Sequence, residues 1–180
     1  RRFDLTILAY CLMTNHVHLV AIPAQEDSLA RAIGRAHFTY SQRFNYRYGR
    51  TGHLWQNRFY SCPLDEARTL SAVLYVEQNP VRAGLVTQPW EYEWSSAAAH
   101  VGEPDTTSLL DLAWWRQHSE AEQWRAMLAA GQPPQEASDL RTHTARCRVK
   151  ILLQKVAGLS CGSRLGGCVF ALMGRSVRRP

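Results

Sequence analysis

The feature that most constrains this chain is a pair of strand-forming runs split by three residues. Leu5-Thr6-Ile7-Leu8-Ala9-Tyr10-Cys11-Leu12 is rich in β-branched, aromatic and aliphatic residues, Met13-Thr14-Asn15 breaks it, and His16 to Ile22 resumes it. An antiparallel hairpin is expected. In a strand, side chains alternate between faces, so His16 and His18 point to one side and Val17 to the other, into the core. Two neutral imidazoles on one face can share a divalent metal ion. A pair of half-exposed polar residues satisfies the same pattern, so the motif alone leaves both readings open.

Length and cysteine usage narrow the class. The chain has 180 residues, enough for one domain plus an appendage. No apolar run approaches the roughly 20 residues of a membrane-spanning helix, and the start lacks a secretory pattern. A soluble, cytoplasmic protein with no membrane partner is expected. Cysteines at 11, 62, 147, 161 and 168 form neither a paired framework nor Cys-x-x-Cys zinc ligands, and read as reduced thiols. The start Arg1-Arg2, without methionine, suggests that earlier residues are missing.

Charge is uneven. Residues 31–58 hold six arginines (31, 35, 43, 47, 50, 58) and no acid, interleaved with Phe38, Tyr40, Phe44, Tyr46, Tyr48 and Trp55. Guanidinium groups pair with phosphate and stack on bases, and aromatic rings offer platforms for unpaired nucleotides. Residues 140–180 add nine Lys or Arg and no acid to a net charge of +6. Either zone can also be a solvated face.

The spacing predicts a helix from Ser28, as N-cap, to Tyr48, stopped by Gly49. On it Leu29, Ile33, Ala36, Tyr40 and Phe44 form an apolar side expected to pack, while Arg31, Arg35, Arg43 and Arg47 spread over an adjoining free arc. After a Gly49–Gly52 loop, a strand is expected near the end of His53–Cys62. A second helix is expected to open at Pro63 and Asp65, to carry Leu70, Val73 and Leu74, and to end before Pro80. Tyr75 and Asn79, four apart, then share a face. Alone, Tyr75 reads as a core tyrosine and Asn79 as a helix cap. His53 reads equally as a structural loop residue.

These motifs in their order, Tyr10-Cys11-Leu12-Met13-Thr14-Asn15-His16-Val17-His18-Leu19-Val20, Gly52-His53-Leu54-Trp55-Gln56-Asn57-Arg58-Phe59, Tyr75 followed by Asn79-Pro80-Val81-Arg82-Ala83-Gly84-Leu85-Val86, and Trp94-Ser95-Ser96, closely resemble REP-associated tyrosine transposases. These are IS200-like members of the single-tyrosine HUH transposase superfamily, and the resemblance covers roughly residues 5–100. It implies an α+β, ferredoxin-like antiparallel sheet with helices on one face. It further implies that His16 and His18, with Asn79 as third ligand, hold Mg²⁺ or Mn²⁺, and that Tyr75 attacks a scissile phosphate to form a 5′-phosphotyrosine. Arg58 and Arg82 become candidates for phosphate contact, and Arg31, Arg35, Arg43 and Arg47 for tracking a DNA backbone.

The expected partner is single-stranded DNA carrying hairpin-forming repeats, in the cytoplasm with the nucleoid; monomer and dimer both remain open. A catalytically inactive DNA-binding relic or regulator of the same family is the alternative reading. A replication initiator or relaxase fits the Asn-Pro-Val-Arg-Ala-Gly string less well. Two departures from the family stand out. The domain normally starts with a further strand and helix, so a truncated catalytic domain over 1–100 should expose a sheet edge. From about Arg146 onward the sequence does not follow the family's tail, as in a frameshifted or decaying gene. Residues 101–135 are expected to form a helical appendage anchored by Trp114, Trp115 and Trp124, and 136–180 a basic tail open to disorder.

Overall fold

The structure, a computed structural model, describes residues 3–55, 59–146 and 169–175. The two strand-forming runs are β1 (Leu5–Leu12) and β2 (His16–Pro23), paired antiparallel from Leu5 opposite Pro23 to Leu12 opposite Val17, with a slip between Ile7 and Ala9. The turn is closed by the Met13 amide donating to the His16 carbonyl at 2.8 Å. With β3 (Tyr60–Leu64) and β4 (Val169–Arg175) they form an antiparallel sheet in the order β1-β2-β4-β3. The fold is α+β, and β2, which carries both histidines, is an interior strand.

Strand β2 is flanked by β1 and β4, so the edges of the sheet are β1 and β3. Backbone pairing between β2 and β3 is completed by β4, and the other side of β1 is covered by residues far along the chain. The Leu12 amide donates to the Trp94 carbonyl at 2.8 Å, the Ser96 amide to Tyr10 at 3.0 Å, and the Asp111 amide to Ile7 at 3.0 Å. At Ile7, Tyr10 and Leu12 the outer side of β1 is therefore not open to another chain. Within 136–180, the residues to 146 belong to a helix and 169–175 are β4. Cys147, Cys161 and Cys168 lie outside the described residues.

Helix α1 (Ser28–Arg47) follows Asp27 and stops where Gly49 takes a left-handed φ of +59° that an L side chain disfavours. Its apolar arc does not pack along its length. Leu29 is buried against Leu19 and Ala21 with Ile33 alongside, whereas Ala36 and Tyr40 are exposed. Twenty residues make a helix about 30 Å long. Periodicity tells which side a helix can bury, not how far a sheet extends beneath it.

Helix α2 (Glu66–Glu77) begins after Asp65, whose carboxylate accepts from the Arg68 amide at 2.8 Å. Pro63, expected to open this helix, lies in β3. As β3 is an edge strand, a residue without an N–H fits there. Helix α2 itself ends at Glu77, before Pro80, as the spacing predicts. A short helix, α3 (Asn79–Arg82), resumes at once with Pro80 in its first turn, where the missing N–H has no helical partner to lose.

Helices α4 (Ala97–His100), α5 (Leu112–His118), α6 (Ala121–Ala130) and α7 (Pro134–Arg146) complete the described chain. Their buried side chains Trp115, Trp124, Leu128, Ala137 and Leu140 join Leu8, Val20, Leu64, Val73 and Val76 in one core cluster. Full burial of an aliphatic side chain stabilises by about 1.5–3 kcal/mol, so this shared core ties residues beyond 100 to the sheet. Most helices thus cover the face of β2 that carries Val20, and the first turns of α1 lie over the face that carries Leu19 and Ala21. Among the described residues no helix is long and apolar enough to cross a membrane.

Candidate active site

The alternation along β2 sends His16 and His18 to the side occupied by α2. Their rings meet edge to face with centroids 4.6 Å apart. His16 Nδ1 lies 2.6 Å from Asn15 Oδ1. An amide oxygen only accepts, so this contact assigns the proton to Nδ1 and leaves Nε2 with its lone pair.

His18 is buried, and neither ring nitrogen has a hydrogen-bond partner among the described residues. Burial, with His16 and Arg82 adding, lowers its pKa from 6.5 to about 3, so the ring is neutral near pH 7. A buried polar group left unpaired costs about 1–3 kcal/mol. A divalent cation bound at a ring nitrogen would offset that cost, and neutral imidazole is the form that ligates. Two neutral imidazoles on one face are donors that a divalent metal ion can take. Among the described residues no group of three His, Cys, Asp or Glu side chains converges.

Helix α2 delivers Tyr75 to the same place. The Tyr75 ring is largely buried and stands edge-on to His18, with centroids 6.1 Å apart. One turn on, Asn79 Nδ2 donates to the Tyr75 and Val76 carbonyls at 3.0 and 3.2 Å. With the amide nitrogen so used, Oδ1 is the acceptor its side chain has left. Arg82 donates from Nη2 to the Tyr75 carbonyl, and its guanidinium carbon lies 4.1 Å from the centre of the Tyr75 ring. The structure thus brings His16, His18, Tyr75 and Arg82 into one cluster, with Asn79 joined to it through the Tyr75 backbone.

The remaining arginines lie on α1. Arg31 pairs with Asp27 at 3.3 Å, Arg35 is 5.8 Å from the Phe38 ring centre and Arg47 is 6.0 Å from that of Tyr48. Arg43 is exposed, as are Phe38, Tyr40, Tyr46 and Tyr48, while Trp55 stacks on His37 at 3.9 Å. Arg58 lies outside the described residues.

One group escaped the sequence reading. Glu77, two residues beyond Tyr75, is fully buried. Its Oε1 accepts from Ser96 Oγ at 2.5 Å and lies 2.6 Å from His100 Nδ1, and its Oε2 accepts from Trp124 Nε1 at 2.9 Å. The signal was in the spacing: position 77 is seven, four and three residues after Leu70, Val73 and Leu74, so a carboxylate stands on the apolar stripe of α2. A charge there requires partners, and the partners come from α4, α6 and the Trp94-Ser95-Ser96 segment.

Residues 1–79 match the family of transposases described as IS200-like. No curated protein and no solved structure matches the chain.

Proposed function

Because residues 1–79 match the IS200-like transposase family, we propose that this protein acts on DNA as a metal-dependent endonuclease and strand transferase. In this reading it acts on single-stranded DNA at hairpin-forming repeats of the REP-associated kind, with Tyr75 as nucleophile. The observation that carries the reading is the Tyr75 ring standing edge-on to the buried, unpartnered His18 imidazole at 6.1 Å. A tyrosine in an ordinary core position faces apolar neighbours, not a histidine whose nitrogens have no hydrogen-bond partner.

The roles follow from the chemistry of each group. His16 and His18, with the Asn79 carboxamide oxygen, would hold Mg²⁺ or Mn²⁺. Such an ion when bound acts as a Lewis acid on a phosphoryl oxygen and orients the scissile group. Tyr75 Oη bonds to phosphorus, the bond from phosphorus to the 3′ oxygen breaks, and the 3′-hydroxyl leaves with a proton. The 5′-phosphate stays on the tyrosine, so the bond is conserved for rejoining and no nucleotide cofactor is required. Arg31, Arg35, Arg43 and Arg47, beside exposed aromatic rings on α1, suit a single strand whose backbone meets guanidinium groups and whose bases stack.

The test is a denaturing gel of the full chain incubated with labelled single-stranded hairpin DNA and Mn²⁺. The expected result is a covalent protein–DNA adduct that is lost with EDTA and in Tyr75→Phe. DNA binding without any adduct would replace this reading with that of a catalytically inactive DNA-binding relative.

A further inference from the structure

We infer that Arg82 is the positioning residue of the Tyr75 nucleophile rather than an anchor for the phosphates of bound DNA, an inference that rests on the nucleophile reading above. Arg82 holds both parts of Tyr75. Its Nη2 donates to the Tyr75 carbonyl, and its guanidinium carbon lies over the ring, 4.1 Å from the ring centre. The same carbonyl accepts from Asn79 Nδ2 at 3.0 Å. Two side chains from α3 therefore converge on the backbone of the residue that reacts.

The tyrosine ring is bounded on one side by this guanidinium and meets the edge of His18 at 6.1 Å. Those two contacts restrict the torsions that aim Oη. Position matters most to a group that must attack in line, because small displacements of a nucleophile cost rate steeply. The cation also faces a ring that gains negative charge as it loses its proton, and a cation over an aromatic face is attracted more strongly as the ring becomes electron-rich. Arg82 acts inward in a second respect: its charge is felt at buried His18 and at buried Cys11. The Nη2 donor directed at the Tyr75 carbonyl is thereby committed to the protein rather than to a phosphate.

The two roles separate in one experiment on the full chain with labelled hairpin DNA and Mn²⁺. For wild type, Arg82→Ala, Arg82→Lys and Arg82→Gln, the rate constant of adduct formation is measured at saturating DNA, and Kd is measured across a range of salt. Loss of aim predicts a fall of roughly 10- to 100-fold in the saturated rate for Arg82→Ala. Kd and its salt dependence should stay as in wild type. Arg82→Lys, which keeps the cation, should retain more rate than the uncharged Arg82→Gln, a difference that a purely structural role would not produce. A phosphate anchor predicts the opposite split, weaker binding with the salt slope reduced by about one and the saturated rate preserved. That result overturns the inference, as does an unchanged rate in Arg82→Ala when wild type forms the adduct. Wild-type protein that forms no adduct overturns the nucleophile reading itself, and this inference with it. If Arg82→Ala does not fold, the Lys and Gln variants decide between the two roles.

Discussion

Glu77 and His100 meet 2.6 Å apart with neither side chain reaching solvent, and this pair joins the helix that bears Tyr75 to a helix outside the matched residues 1–79. Ser96 Oγ and Trp124 Nε1 occupy the rest of the carboxylate, and His100 stacks on Trp115 at 3.8 Å. The residues beyond 79 therefore brace the candidate site from behind. Glu77→Ala strips two buried donors, Ser96 Oγ and Trp124 Nε1, of their acceptor and removes the carboxylate beside His100. It should cost about 3 kcal/mol or more, read as a lower urea midpoint with an unchanged slope. A loss below about 1 kcal/mol would show that the network carries little of the stability.

Metal binding has a readout apart from activity. Mn²⁺ bound to the folded chain alone should raise the melting temperature as its concentration passes Kd. His18→Leu should abolish that rise, while in EDTA the variant should be as stable as wild type or more so, because an unpaired buried imidazole is replaced by an apolar side chain of similar bulk. A wild-type melting curve indifferent to Mn²⁺ and Mg²⁺ would sink the metal assignment.

The metal-free protein should be acid-sensitive for the same reason. His18 has its pKa lowered to about 3 by burial first and by His16 and Arg82 next. In the unfolded chain it titrates near the ordinary value of 6.5. Between those values the unfolded state binds the additional proton, so stability rises with pH across the window and is lost as pH falls from about 6.5 toward 3. One such group contributes up to about 1.4 kcal/mol per pH unit. Urea unfolding in EDTA at pH 7.5 and 5 should show this slope in wild type, with a shallower one in His18→Leu; equal slopes would refute it.

Thiol chemistry offers a direct check on the core. Burial pushes the Cys11 thiol up to about 12, with Glu77 adding. A thiol so protonated and enclosed does not react. Iodoacetamide at pH 8 should leave Cys11 unlabelled in the native protein and modify it in urea, as peptide mass spectrometry would report. Native labelling at Cys11 would mean that the strand carrying it is not packed as described.

On α1, Arg43→Ala and Arg47→Ala remove exposed side chains and should leave the melting temperature within about 1–2 °C of wild type. If these side chains meet the DNA backbone, each should weaken single-strand binding at low salt and lower the salt slope by about one. Affinity and slope unchanged in the double variant would leave the arginine arc as a solvated face.

By itself the sequence determined what depends on neighbours in the chain. The hairpin of β1 and β2 was legible from two strand-forming runs and a three-residue break, and a period of two then put His16 and His18 on one face. A helix bearing Tyr75, with Asn79 one turn on, followed from apolar spacing and the Asp65 cap. Where local rules name a preference without a context, they misplaced residues. Proline suits a helix start, yet an edge strand accommodates Pro63 as well. Periodicity puts Ala36 and Tyr40 on a face able to pack, yet both are exposed, with Trp55 the aromatic neighbour of Tyr40. Only the tertiary structure decided which distant groups meet: β4 completing the sheet between β2 and β3, Ser96, His100 and Trp124 closing on Glu77, and Arg82 folding back over the Tyr75 ring. Those contacts depend on the packing of a whole core and on where buried charge finds its donors, quantities that no window of adjacent residues contains.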